Sequence, residues 1–361
     1  MSTARSSPKS TGAGEDRMAS SAGTVQALPA PWIARQTQFL LAQRGHAWLL
    51  QGPSGLGQYE LALALVTAWL CEQSTAQGAC GQCPSCHAIA VRTHADLAVL
   101  MPETHMLDLG WPLSEKAQAE IDEKKRKPSK DIRVEAMRDL VEFAQRTDAR
   151  GRGKAVLVYP AERMNAIAAN ALLKTLEEPV GDVRFVLATE STHQLLPTIR
   201  SRCQTHTLDW PQTSEALRWL SAQGLEEGAA MDLLRMAGGR PDDALRQASA
   251  GLDPAWWSRL PHALLAGDAS HLSSLSPALA IEALQKLCHD LVLQHCGAPP
   301  RYFRPADLPA SAATLRALTD WFKRLMQAAR TAEHPFNTGL MLEALADDAR
   351  HTLVSRAKAR T

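Results

Sequence analysis

Four short, continuously apolar runs punctuate the first half of the chain: residues 47–51 (AWLLQ), 96–101 (DLAVLM), 154–158 (KAVLV) and 183–188 (VRFVLA). Runs of this length without polar alternation predict strands buried on both faces. Between them the apolar period lengthens to three or four. Residues 59–70 and 132–146 predict helices, the second through Val134, Met137, Leu140, Val141 and Ala144 on one side. Met164, Ile167, Ala168, Ala171, Leu172 and Leu176 repeat the spacing until Pro179 stops the helix. Buried strands alternating with amphipathic helices imply a parallel sheet covered on both sides.

That pattern ends near Leu208. Beyond Trp210-Pro211 no further strand is predicted. Short helices over 214–223, 229–236 and 242–250 are divided by Gly224, Gly228 and Gly238-Gly239, and from Asp253-Pro254 the chain reads as helical apart from a Pro-rich break over 298–309. The fold class is therefore α/β followed by all-α. Residues 1–24 read as a flexible tail: Ser, Ala, Thr, Gly and Pro dominate, without the apolar core of a secretory signal. The longest apolar run, 61–70, is about half of what a membrane helix needs, which rules out a membrane span.

Composition narrows the picture further. With 361 residues, 45% of them hydrophobic, there is material for two or three packed domains. A balance of 39 Lys+Arg against 38 Asp+Glu excludes a wholly basic nucleic-acid coat, though not a local basic patch. The segment 106–130 looks like an insertion carrying Lys124-Lys125-Arg126-Lys127. Its flanking Glu115, Glu120, Asp122 and Glu123 favour a solvated loop over a phosphate contact. Four of seven cysteines, Cys71, Cys80, Cys83 and Cys86, form C-x₈-C-x₂-C-x₂-C. Without an export signal this reads as a cytoplasmic protein with a structural zinc site of four thiolates. His87 and His94 are reserve ligands, and an iron–sulfur cluster is the alternative.

The loop Gly52-Pro53-Ser54-Gly55-Leu56-Gly57-Gln58-Tyr59 lies between a strand and a helix, and Gly52 and Gly57 keep the glycine spacing of a phosphate-binding P-loop. Its two chemically active positions are altered. Gln58 replaces the Lys that reaches the phosphates, and Tyr59 replaces the Ser or Thr hydroxyl that binds Mg²⁺. At the end of KAVLV, where a metal-binding Asp is expected, stands Tyr159-Pro160-Ala161. Neither Tyr nor Pro holds a metal or takes a proton near neutral pH. The cation, metal ligand and base are lost together, which points to a scaffold rather than an ATPase.

Three further strings complete the set: Asn170-Ala171-Leu172-Leu173-Lys174-Thr175-Leu176-Glu177-Glu178-Pro179, a strand ending in Thr189, and Ser201-Arg202-Cys203 after a short turn at Pro197. Together with the cysteine knuckle they resemble the clamp-loader branch of the AAA+ family, and within it the non-hydrolysing subunits of the bacterial DNA polymerase III holoenzyme, from about Trp32 to Leu208 and more weakly beyond. The resemblance implies a RecA-like domain over 25–208 with a zinc knuckle at 71–86, a three-helix lid over 209–250, and a helical collar over 252–361. It further implies a stator in a pentameric ring with motor subunits (gamma/tau) and a clamp-opening delta subunit, supporting ATP-dependent loading of the sliding clamp on primed DNA. Arg202 would be an arginine finger acting in trans, Thr189 the sensor-one residue, and Gly52, Gly55, Gly57, Gln58 and Tyr59 a degenerate nucleotide loop. A residual ATPase and a zinc-dependent nucleic-acid-binding module are the rival readings.

Overall fold

The computed structural model describes residues 30–310, 312–332, 334 and 336–354, and the tail expected over 1–24 lies outside the described residues. The chain opens with α1 (Pro31–Leu41), β1 (Ala47–Gln51), α2 (Gln58–Leu70) and α3 (Pro84–Ala90). Next come β2 (Leu97–Leu100), α4 (Glu103–Asp108), α5 (Glu115–Asp122), α6 (Val134–Gln145) and β3 (Lys154–Val158). The sheet is completed by α7 (Ala166–Glu177), β4 (Val183–Thr189), α8 (Pro197–Arg200) and β5 (Gln204–Thr207). Seven helices follow: α9 (Thr213–Ala222), α10 (Glu227–Met236), α11 (Pro241–Ser249), α12 (Pro254–Ala266), α13 (Pro277–His295), α14 (Leu315–Ala329) and α15 (Thr338–Val354).

All strand pairings are parallel, in the order β2-β3-β4-β1-β5. Successive strand side chains point to opposite faces, so a sheet covered twice needs apolar residues at every position. In β1, Trp48 and Leu50 join the core under α1 and α2, while Ala47 and Leu49 join the core under α6 and α7. In β3, Ala155 and Leu157 divide from Val156 and Val158 in the same way. The outer strand β5 (QTHT) is largely exposed and carries no apolar signal. It forms because its backbone extends the ladder of β1, pairing Trp48 with Gln204 and Gln51 with Thr207, and the apolar pattern gave no sign of it.

The segment 106–130, expected as a loop, contributes the end of α4 and the whole of α5, whose Ser114 hydroxyl caps the Ala117 N–H. Two members of its basic run are paired with carboxylates. Arg126 binds both Glu103 and Glu120, and Lys125 pairs with Glu123.

Beyond the sheet, one apolar cluster runs through α9 to α15, with Leu220, Leu234, Leu260, Leu284 and Trp321 at its centre. The Pro-rich break is pinned by Asp290 of α13. This wholly buried carboxylate accepts the N–H groups of Arg301, Tyr302 and Phe303 at 2.7–3.0 Å. The sheet and the later helices meet at two places. Trp32 of α1 packs edge-on to Trp219 of α9 with ring centroids 5.4 Å apart, and α11 reaches the loop after β1.

Candidate functional site

The carboxyl ends of parallel strands are where such sheets hold ligands, and the predicted nucleotide residues gather there. β1 ends at Gln51 and the chain turns through 52–57 into α2. Gly55 sits at φ +77°, and a Cβ there would stand 2.4 Å from the carboxyl carbon of Asp243, so glycine is required. Gln58, almost fully buried, donates its side-chain amide to the carbonyls of Gly52 at 2.7 Å and Pro53 at 2.6 Å. A P-loop lysine would extend outward toward phosphate. This amide instead turns back and fills the loop's own acceptors. The Tyr59 hydroxyl accepts a hydrogen bond from Trp111 Nε1 at 2.8 Å, and burial pushes its phenol up. Trp111 comes from the segment 106–130, which thereby covers the first turn of α2.

At the end of β3, Tyr159 packs on Tyr59 with centroids 5.7 Å apart and donates to Glu190 Oε1 at 3.1 Å. Burial pushes the Glu190 carboxyl up. Thr189, fully buried, donates to Glu162 Oε2 at 2.7 Å, and the other Glu162 oxygen accepts the Glu190 N–H at 3.0 Å. Across the loop, Ser54 Oγ donates to Asp243 Oδ2 at 3.2 Å and the Asp242 N–H donates to the Gly55 carbonyl at 3.2 Å. Asp243 also pairs with Arg240 and Arg246. Burial, and next the nearby Glu60 carboxylate, push Asp242 up to about 7, and burial also raises Glu60. The region over the P-loop is thus supplied with carboxylates that already resist ionisation.

Trp111, Glu162, Glu190 and Asp243 were not legible as site residues. Each lies between 27 and 189 residues from its partner, and no local spacing connects them. Arg202 stands apart from this cluster. Its guanidinium pairs with Glu177 at the end of α7 and donates to the Thr198 carbonyl at 2.9 Å, and the side chain is about 30% exposed.

The four cysteines meet at the far end of α2. Cys71 terminates that helix and Cys83 caps α3, where its sulfur accepts the Cys86 N–H. The four ligand atoms lie within 4.8 Å of one another, and the Cys71 and Cys83 sulfurs are 3.8 Å apart. Thiolates about 2.3 Å from a tetrahedral ion are separated by about 3.8 Å, so the set fits one Zn²⁺. An iron–sulfur cluster, with several irons between the sulfurs, would hold them further apart. Burial pushes the Cys83 thiol up, but hydrogen bonds from Cys86, Glu72 and Cys80 outweigh it and hold the group down at about 6, whereas burial pushes Cys71 and Cys86 up. His87 and His94 are not part of the clustered set. His94 instead accepts the Asp96 N–H on Nδ1 at 3.1 Å. Glu72 accepts from Ser85 Oγ and from Arg150, both at 2.9 Å, which fastens the knuckle to the loop before β3.

The family described as DNA polymerase III, delta subunit, matches residues 35–212. DNA polymerase III subunit delta' of Pseudomonas aeruginosa is 40% identical over 213 residues, covering 58% of this chain and 58% of the relative. Its counterpart in Escherichia coli is 34% identical over 221 residues, or 60% and 59% of the two chains. The match therefore spans just under three fifths of the length of these two relatives. DNA polymerase III subunit delta' of Yersinia pestis is 33% identical over 277 residues, 71% of this chain and 73% of that one. On these matches the chain belongs to the DNA polymerase III delta' subunit family of the clamp loader.

Proposed function

We propose that this chain is a non-hydrolysing stator of the clamp loader, working in the cytoplasm beside gamma/tau motor subunits and a clamp-opening delta subunit in a five-membered ring. The observation that carries the reading is the Gln58 amide closed onto Gly52 and Pro53. Tyr59 held by Trp111, Tyr159 held by Glu190 and Thr189 held by Glu162 point the same way. Each of these four side chains is engaged by another part of the protein.

In this reading α9–α11 form the lid (209–250), and α12–α15 the collar (252–361) through which the ring assembles. The knuckle carries a structural Zn²⁺. Arg202 is the finger: partly exposed and held by Glu177, it exchanges that carboxylate for the γ-phosphate bound by the adjacent motor subunit. Such fingers contribute on the order of 10³–10⁵ in turnover at the site they serve.

The test is reconstitution with the motor and clamp-opening subunits. The purified chain alone should release no phosphate from ATP. Arg202→Ala should lower the DNA-stimulated ATPase of the assembled complex by the share of the one site it completes, with the complex still intact by size-exclusion chromatography. Unchanged ATPase would remove the finger, and steady turnover by the isolated chain would remove the stator.

A further inference from the structure

The opposite, amino-terminal edge of the sheet holds a second concavity, of about 690 Å³, between the start of β1, the end of α2, the knuckle loop and the loop before β3. Among the described residues three arginines line it, Arg44, Arg152 and Arg184, with Asp182 as the sole lining carboxylate. Asp182 is already engaged. Arg184 binds both of its oxygens, at 3.3 and 3.2 Å, and lies over the Trp69 ring at 5.7 Å. Among the described residues Arg44 and Arg152 pair with no carboxylate, and Arg152 is held by a neutral partner, the Ser74 hydroxyl at 3.1 Å. Two guanidinium groups therefore line a polar hollow with no carboxylate partner among the described residues.

Their backbones are fixed in place. The Arg44 carbonyl accepts the Gln204 side-chain amide at 2.8 Å. Arg152 precedes Gly153, at φ +71°, where a Cβ would stand 2.4 Å from the Asp182 carbonyl oxygen, and the Gly153 N–H is bound by Asp148 at 3.1 Å. Guanidinium groups suit phosphate oxygens, which they meet in a planar fork, and a fixed backbone confines the ordering cost of binding to the side chains. The volume is that of a small-ligand cleft.

We infer that this hollow binds phosphate groups, on a nucleic-acid strand or as a free anion, through Arg44 and Arg152. The site lies across the sheet from the P-loop and does not depend on the clamp-loader reading.

The experiment titrates the full chain into fluorescein-labelled dT15 at several salt concentrations, in parallel with calorimetry using inorganic pyrophosphate. The paired change Arg44→Gln and Arg152→Gln should weaken dT15 binding at least tenfold. It should also reduce the log–log salt slope by about 1.4, the value for two phosphate contacts on a single strand. If dT15 does not bind but pyrophosphate does, and the paired change abolishes that heat, the ligand is the free anion. The charge-keeping pair Arg44→Lys and Arg152→Lys should retain the slope. A slope that falls there too reflects lost fold and overturns the inference. So does equal binding of both probes by the wild-type and Gln-paired chains, or dT15 affinity lost instead on changing Lys124, Lys125 and Lys127 to Gln.

Discussion

Gln58 shows how one side chain decides the character of a loop. Its amide is nearly inaccessible and makes two short bonds to carbonyls. Gln58→Ala should therefore lower stability by about 1–3 kcal/mol, read as a shift in the urea midpoint. Gln58→Lys restores the cation yet should produce no phosphate release, because Tyr59, Tyr159 and Asp243 remain where they are. Asp242 gives a pH signature. Its folded value of about 7 lies above that of an unfolded aspartate, so the folded state keeps the proton longer. Its contribution to stability is full below about pH 4 and is lost as pH rises through 7. Urea midpoints compared at pH 5 and pH 8 should show that loss, and Asp242→Asn should flatten it. The identities of Gln58 and Tyr59 already announced an altered pocket, since the P-loop pattern fixes what each position must do. What fills the pocket instead was hidden, because Trp111 and Asp243 reach it from distant segments whose own local patterns describe a loop and a helix start.

At the scale of elements, the buried strands were legible because burial on both faces demands apolar residues throughout, as in β1 and β3. β5 was not, because an outer strand is specified by its neighbour's backbone rather than by its own side chains. The knuckle was legible through its spacing, and its ligands do converge. Removing Zn²⁺ with a chelator should lower the melting temperature by several degrees and expose four thiols to a thiol reagent, since binding free energy at such sites is folding free energy. No shift would mean that the knuckle folds without metal. The break between α13 and α14 depends on Asp290. Asp290→Ala leaves three N–H groups without their acceptor, of which that of Phe303 is buried, and should cost about 1–3 kcal/mol, read as a urea midpoint shift with loss of the stacking of Trp257 on Phe303, whose ring centroids are 4.7 Å apart.

Across the whole molecule, the division between the sheet and the helices that follow was visible in the change of period near Leu208, and the helical half does share one core. How the halves meet was not visible, because the contacts are single residues: Trp32 on Trp219, Arg35 on Glu215, Ser54 on Asp243. Each of these holds the later helices against the sheet. The helix α2 joins the two special ends of the sheet layer. It begins at Gln58 in the closed loop and ends at Cys71 among the sulfurs, a rod about 20 Å long. Loss of a metal from the four sulfurs would thus loosen one tip of the same rod whose other tip bears the Gln58 amide.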